Sequence, residues 1–236
     1  WNVPTYLFTL EEYSETFEIY GKKVDQPQGE TKTFYRYAKA KALSPMQEVR
    51  TATIGATLCY DYETIFSEDV CIDPQYYQSD KKKKPCEVKD LSSSGQGGPV
   101  AITKVDVAMI PLDEQRLGPR FTVHLRNQGK GTVINRDDVQ KACSSETSPN
   151  LFNVIYIEEA KLSKIYNLEC TGLQRNEQLG RSYILLEEGK ENSFTCELKS
   201  GIPKEQGVFS TPLLIKLGYG YTITKSKEIT IRSRKV

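Results

Sequence analysis

Residues 215–231 read IKLGYGYTITKSKEITI, and residues 56–72 read ATLCYDYETIFSEDVCI. In each, a leucine is followed at alternate positions by two tyrosines: Leu217, Tyr219 and Tyr221 in one, Leu58, Tyr60 and Tyr62 in the other. Alternation with period two marks a half-buried β-strand, because successive side chains leave the backbone on opposite faces. A tyrosine at the corner of a β-sandwich can fill the core with its ring and bond backbone with its hydroxyl. Each run passes through polar residues into a second alternating stretch, so each is expected to be a hairpin closing one half of the chain.

The same period recurs elsewhere. In 120–126, Phe121, Val123 and Leu125 share one face while Thr122, His124 and Arg126 share the other. Further strands are expected at 100–110, 153–160, 182–186, 212–221 and 228–232. The chain lacks a helical stripe, and only 136–141 suits a single helical turn. The fold class is therefore all-β. Residues 91–99, LSSSGQGGP, have the small, flexible composition of a linker and follow the lysine run Lys81–Lys84. They divide the chain into an N-terminal sandwich at 1–90 and a second at 100–236, two antiparallel sandwiches in tandem.

At 236 residues the chain is long for one sandwich and comfortable for two. Apolar residues make up 38% and charged residues 27%, enough for packed cores. With 32 Lys+Arg against 31 Asp+Glu there is no net field to steer a polyanion to the surface, so nucleic acid is not an expected partner. No stretch approaches the roughly 20 apolar residues of a membrane helix. The first residue is Trp1, which suggests removal of an N-terminal segment and leaves a membrane anchor outside this chain open.

Six cysteines and one histidine, without a C-x-x-C pair, do not suit a zinc site, and no cofactor is expected. Three disulfides in an oxidising compartment are expected instead. Cys170 ends one strand and Cys196 sits in another, so a bond between them would staple two strands. Cys71 and Cys86 enclose a polar loop, and closing about 15 residues stabilises by about 3 kcal/mol in the chain-entropy model. Cys59 and Cys143 would then tie the two domains together. A rival scheme joins Cys59 to Cys71 and Cys86 to Cys143.

The stretch FTVHLRNQGKGTVI, 121–134, carries a strand into Asn127, Gly129 and Gly131. With PVAITKVDVAMIP before it and LGYGYTI near the end of the chain, it resembles the CARDB-like, immunoglobulin-type domains of bacterial and archaeal surface proteins. That resemblance covers roughly the second half of the chain. It implies immunoglobulin-like sandwiches in an archaeal envelope protein with a membrane-anchored N-terminus and no known catalytic residues. The cysteines depart from the plain pattern of that family.

Side chains that could carry chemistry are sparse. His124 has no companion nucleophile motif. The pairs Glu158/Glu159 and Glu187/Glu188 are adjacent, and strand neighbours point to opposite faces, which does not suit a glycosidase pair. Asp69, Asp73 and Asp80 lack the spacing of a calcium loop. Tyr76 and Tyr77 could stack on a sugar or simply cover the sandwich edge. No N-x-[ST] sequon is present. The expected protein is non-catalytic, extracellular or at the cell surface, and structural or adhesive. A terminal strand carrying Tyr6, Phe8 and Leu10 is the candidate for pairing with neighbouring subunits. A carbohydrate- or protein-binding module is the alternative.

Overall fold

A computed structural model describes residues 3–9, 16–20, 28–78, 84–143 and 151–233. Strands dominate, as the alternation predicts. The chain divides into two compact units, one of Trp1–Thr57 with Thr224–Val236 and the other of Leu58–Ile223. Two 24-residue strands, β3 (Val49–Ile72) and β15 (Phe209–Arg232), run from one unit into the other.

In the larger unit, 58–223, two antiparallel sheets share one core. One sheet contains β4 (Leu91–Ser92), β5 (Val100–Pro111), β6 (Arg116–Asn127), β10 (Glu169–Thr171), β13 (Glu191–Glu197) and β14 (Ile202–Pro203). Its order is β10-β13-β6-β5-β4, with β14 also on β6. The facing sheet contains β3, β7 (Thr132–Ile134), β8 (Val154–Leu162), β9 (Tyr166–Asn167), β11 (Gln174–Asn176), β12 (Arg181–Leu185) and β15. Its order is β11-β12-β8-β15-β3, with β7 on β15 and β9 on β8. Val105, Phe121, Val123, Leu125 and Phe194 from the first sheet are buried with Phe66, Ile155, Leu213, Ile215 and Leu217 from the second. A short helical turn (Arg136–Asp138) and α1 (Val139–Cys143) occupy the one place where helix was expected.

The two Leu-x-Tyr-x-Tyr runs have a different meaning from the one expected. They are not hairpins and do not end two domains; they lie on β3 and β15, neighbours in one sheet. Numbers rise along β3 as they fall along β15, with Cys59 Sγ on Thr222 Oγ1 at 3.4 Å and Ser210 Oγ on the Val70 carbonyl at 3.5 Å, so the strands are antiparallel. The Tyr60 ring lies 5.8 Å from Tyr221, and Tyr62 lies 5.8 Å from Tyr219. The motifs match because they pack on each other. Neither 65–69 nor 222–228 holds a Gly, Pro or Asn to turn the chain, and each stretch lies within a single strand.

The division at 91–99 also differs from the structure. This segment lies inside the larger unit, and β4 pairs Leu91 with Val105 and Ser92 with Lys104. Its small residues serve close packing: a Cβ on Gly98 would stand 2.6 Å from the Tyr62 ring. Among the described residues, two sheets facing a common core occur only in 58–223, and the described part of 1–90 does not form a sandwich of its own.

In the smaller unit, β1 (Phe8–Thr9) pairs with β2 (Lys39–Ala40). Leu7, Phe8 and Ala52 are buried there, with Val3, Leu43, Ile54, Ile229 and Ile231 packed around them. The ends of β3 and β15 in this unit are joined by Thr57 Oγ1 and Thr224 Oγ1 at 2.9 Å and by the Ser233 N–H donating to the Glu48 carbonyl at 2.8 Å.

Candidate functional site

A sheet is reactive at its edges, where unpaired N–H and C=O groups can accept another strand. The edges in this protein are treated unequally. Beyond β4, the outer edge of β5 is closed by side chains. The Gln96 amide accepts from the Ile102 N–H at 2.9 Å and donates to the Ile102 carbonyl at 3.0 Å, copying a strand's own ladder. Asp90 accepts the Val107 N–H at 3.0 Å. Tyr77 donates its hydroxyl to the Met109 carbonyl at 2.9 Å. The distal strands of the two sheets, β10 and β11, are three residues each.

A further edge is β3, last in its sheet. Among the described residues, no backbone group pairs with its outer side. Its portion in the larger unit displays Leu58 and Ile65, 41% and 47% exposed, beside exposed Glu63, Glu68 and Asp69. The end nearest Cys59 is tethered. Cys59 is bonded to Cys143 of α1 at 2.00 Å, and Asp61 receives Arg136 at 2.8 Å.

Two tyrosines hold the opposite sheet in place from β15. Thr64 donates its hydroxyl to the Val100 carbonyl at 2.9 Å, so the Tyr219 hydroxyl, 2.9 Å from Thr64 Oγ1, donates to Thr64. The Val100 N–H donates back to Tyr219 at 3.2 Å. Both backbone groups at the start of β5 are thereby satisfied, and burial raises the Tyr219 phenol above its ordinary pKa. Tyr221 does the same for the turn 127–131. Its oxygen accepts the Gly131 N–H at 2.8 Å and its proton is shared between the Gly131 carbonyl at 2.9 Å and Asn127 Oδ1 at 3.1 Å. This contact requires the glycines: a Cβ on Gly129 would lie 2.1 Å from the Tyr221 oxygen, and one on Gly131 2.1 Å from the Thr222 carbonyl.

The other sequence-derived candidates are placed as follows. Cys71 is bonded to Cys86 and Cys170 to Cys196, which with Cys59–Cys143 is the first of the two pairing schemes. Cys170 and Cys196 are directly opposite on β10 and β13. Cys59 and Cys143 both belong to the larger unit, so their bond does not tie two domains together. Tyr76 and Tyr77 pack edge to face at 5.2 Å, and Tyr77 takes part in closing the β5 edge. Phe8 is 6% exposed in the core of the smaller unit, Tyr6 is exposed with Arg50 over its ring, and Leu10 lies outside the described residues.

His124 Nε2 is 2.6 Å from Asp106 Oδ2, and Lys104 and then His124 hold that carboxyl below its ordinary pKa. Asp73 is buried and receives Lys84 at 2.5 Å; Asp80 and Lys81–Lys83 lie outside the described residues. Glu158 sits at a bulge in the β8–β15 pairing, which interrupts the strict alternation expected there. Both Glu158 and Glu159 consequently line one cavity of about 420 Å³. Each is committed to cations: Glu158 to Arg136 at 2.9 Å and to Arg181, Glu159 to Lys161 at 2.5 Å and Lys216 at 3.3 Å. Glu187 pairs with Lys190 across a turn. Among the described residues, no group of three or more His, Cys, Asp or Glu could hold a metal ion, and no helix is long and apolar enough to cross a membrane.

Sequence reasoning missed the edge closure, because Gln96, Asp90 and Tyr77 are ordinary polar residues until β5 lies beside them. The only signal in the sequence was the density of such residues just before a strand. No protein-family model matches this chain, and neither a curated protein nor a solved structure does.

Proposed function

We propose that this chain is a non-catalytic structural or adhesive protein of the cell exterior, whose sandwich pairs with other protein chains along a sheet edge. The observation that carries this reading is the contrast between β5, whose edge is closed by three side chains, and β3, whose edge is open. A sandwich that guards the long edge of one sheet and leaves an edge of the other without a partner strand among the described residues is suited to strand addition there. Three disulfides favour an oxidising compartment, in keeping with an extracellular or surface location. Glu158, Glu159 and Glu187 are held in ion pairs and His124 is hydrogen-bonded to Asp106, which favours a structural role for them.

In this reading the larger unit is an immunoglobulin-like sandwich of the CARDB-like kind. Support comes from the Asn127-x-Gly129-x-Gly131 turn and its tyrosine clamp. A membrane anchor would lie outside this chain. The carbohydrate-binding alternative is less well supported, since the Tyr77 hydroxyl is engaged with backbone. Sedimentation velocity and electron microscopy of the oxidised protein across a concentration series test the proposal. Assemblies that grow with concentration are expected. A strict monomer that gives hits on a glycan array would replace it with a binding module.

A further inference from the structure

The open edge of β3 has a chemical character that selects its partner. Within 58–72 the charged residues are Asp61, Glu63, Glu68 and Asp69, with no Lys or Arg. Asp61 is held by Arg136, but Glu63, Glu68 and Asp69 are exposed and make no ion pair among the described residues. Like charges set opposite each other across a strand pair repel, so this edge disfavours a second copy of itself.

A complementary edge exists on the same chain. On one side β15 is covered by β8 along 213–218 and by β7 along 220–222. Beyond that, no described strand pairs with this side of β15. The bare stretch 224–232, TKSKEITIR, carries Lys225, Lys227 and Arg232 against one acid, Glu228. The three cations are exposed and make no ion pair among the described residues. Threonine and isoleucine fill most of the remaining positions, residues that suit a pairing strand.

Resting on the assembly reading above, we infer that the cationic edge of β15 at 224–232 in one copy adds to the acidic edge of β3 at 58–72 in a second copy. Nine paired residues span roughly 30 Å of strand. Pairing β3 with β3 would oppose carboxylates, and pairing 224–232 with itself would oppose lysines. Only the mixed pairing sets unlike charges together. The two surfaces differ, so the contact is heterologous: each copy gives one edge and offers the other, and copies add in series.

The test uses the full oxidised chain and three variants, compared by sedimentation velocity and electron microscopy. Glu63→Lys/Glu68→Lys/Asp69→Lys makes both edges cationic, and Lys225→Glu/Lys227→Glu makes both acidic. Each alone is expected to associate at least about tenfold more weakly than wild type at low salt, because like charges now face each other. An equimolar mixture of the two is expected to assemble again, and so is the variant that combines all five substitutions, whose edges are exchanged but complementary. Wild-type assembly is expected to fall in roughly 1 M NaCl, where screening shortens to a few ångströms. All substituted positions are exposed, and recovery in the mixture shows that both variants fold. Wild type that is monomeric throughout would overturn this inference and the assembly reading together. Wild type that assembles while the variants assemble equally well, or a mixture that fails to recover, would overturn only the choice of strands.

Discussion

β3 and β15 each supply residues to both units, yet the two units differ in what those residues bury. In 58–223 the even positions of β3 and the odd positions of β15 bring in Phe66, Leu213, Ile215, Leu217, Tyr219 and Tyr221, all buried beneath a second sheet. In the smaller unit the same parities bring in Ala52, Ile54, Ile229 and Ile231, of which only Ala52 is buried. Strand alternation is thus common to both. The difference lies in the covering layer, since burial stabilises only where apolar surface leaves water. It teaches that the larger unit should unfold as a cooperative block and the smaller one should open at lower cost.

The largest test of that block is the Cys59–Cys143 bond, which closes a sequence separation of 84 inside the larger unit. Replacing both cysteines by serine should cost about 4 to 5 kcal/mol on the chain-entropy model. Denaturant unfolding of the oxidised proteins reads it directly. A loss below about 1 kcal/mol would mean that α1 is held by packing and ion pairs alone. Gly131→Ala comes next. Its Cβ would press on the Thr222 carbonyl and the Tyr221 ring, backbone and packed ring being unable to yield. About 3 kcal/mol or more of destabilisation is expected, and a near-neutral result would contradict the clamp.

The tyrosines sharpen the comparison within the sandwich. Tyr221→Phe removes the acceptor for the Gly131 N–H and should cost about 1 to 3 kcal/mol. Tyr60→Phe leaves the ring contact in place and should change stability by about 0.5 kcal/mol or less. Equal losses would show that the buried hydroxyl bonds of Tyr221 contribute no more to stability than the hydroxyl of Tyr60.

How much of this was legible beforehand follows from the range of each interaction. The strands at 100–110, 120–126 and 153–160 were readable because alternation is local and survives in any context. The cysteine pairs were narrowed by strand and loop position. Misread were the two Leu-x-Tyr-x-Tyr runs: similarity between Tyr60/Tyr62 and Tyr219/Tyr221 reports either repetition or contact, and only three-dimensional pairing tells them apart. Residues 91–99 were misread for a related reason, because glycine and serine serve a tight docked segment as well as a free linker. Glu158 escaped because a bulge is one extra residue in a register that sequence does not display.

Phe8→Ala probes the smaller unit. Amides of the smaller unit should exchange with solvent markedly faster, while the main unfolding transition of 58–223 should shift by about 0.5 kcal/mol or less. A loss of several kcal/mol in that transition would break the comparison, because the two cores would then share one cooperative unit.

The smallest expected effect lies on the outer face of the sandwich, where stability depends on charge rather than burial. Glu197 sits directly opposite Arg120 in the β13–β6 ladder. Lys199 at 2.5 Å, followed by Arg120 at 2.5 Å, holds its carboxyl below the ordinary glutamate value in spite of partial burial. A depressed folded-state value means that the ionised form stabilises the fold. The contribution is therefore present above the unfolded carboxyl's pKa and is lost as pH falls through the lower folded value. Its partners are about half exposed, which limits the effect to about 0.5 kcal/mol or less. Carboxyl titration by NMR should show the Glu197 midpoint rising in Lys199→Ala, and rising less in Arg120→Ala. The reverse order would move control of this carboxylate from the turn to the ladder.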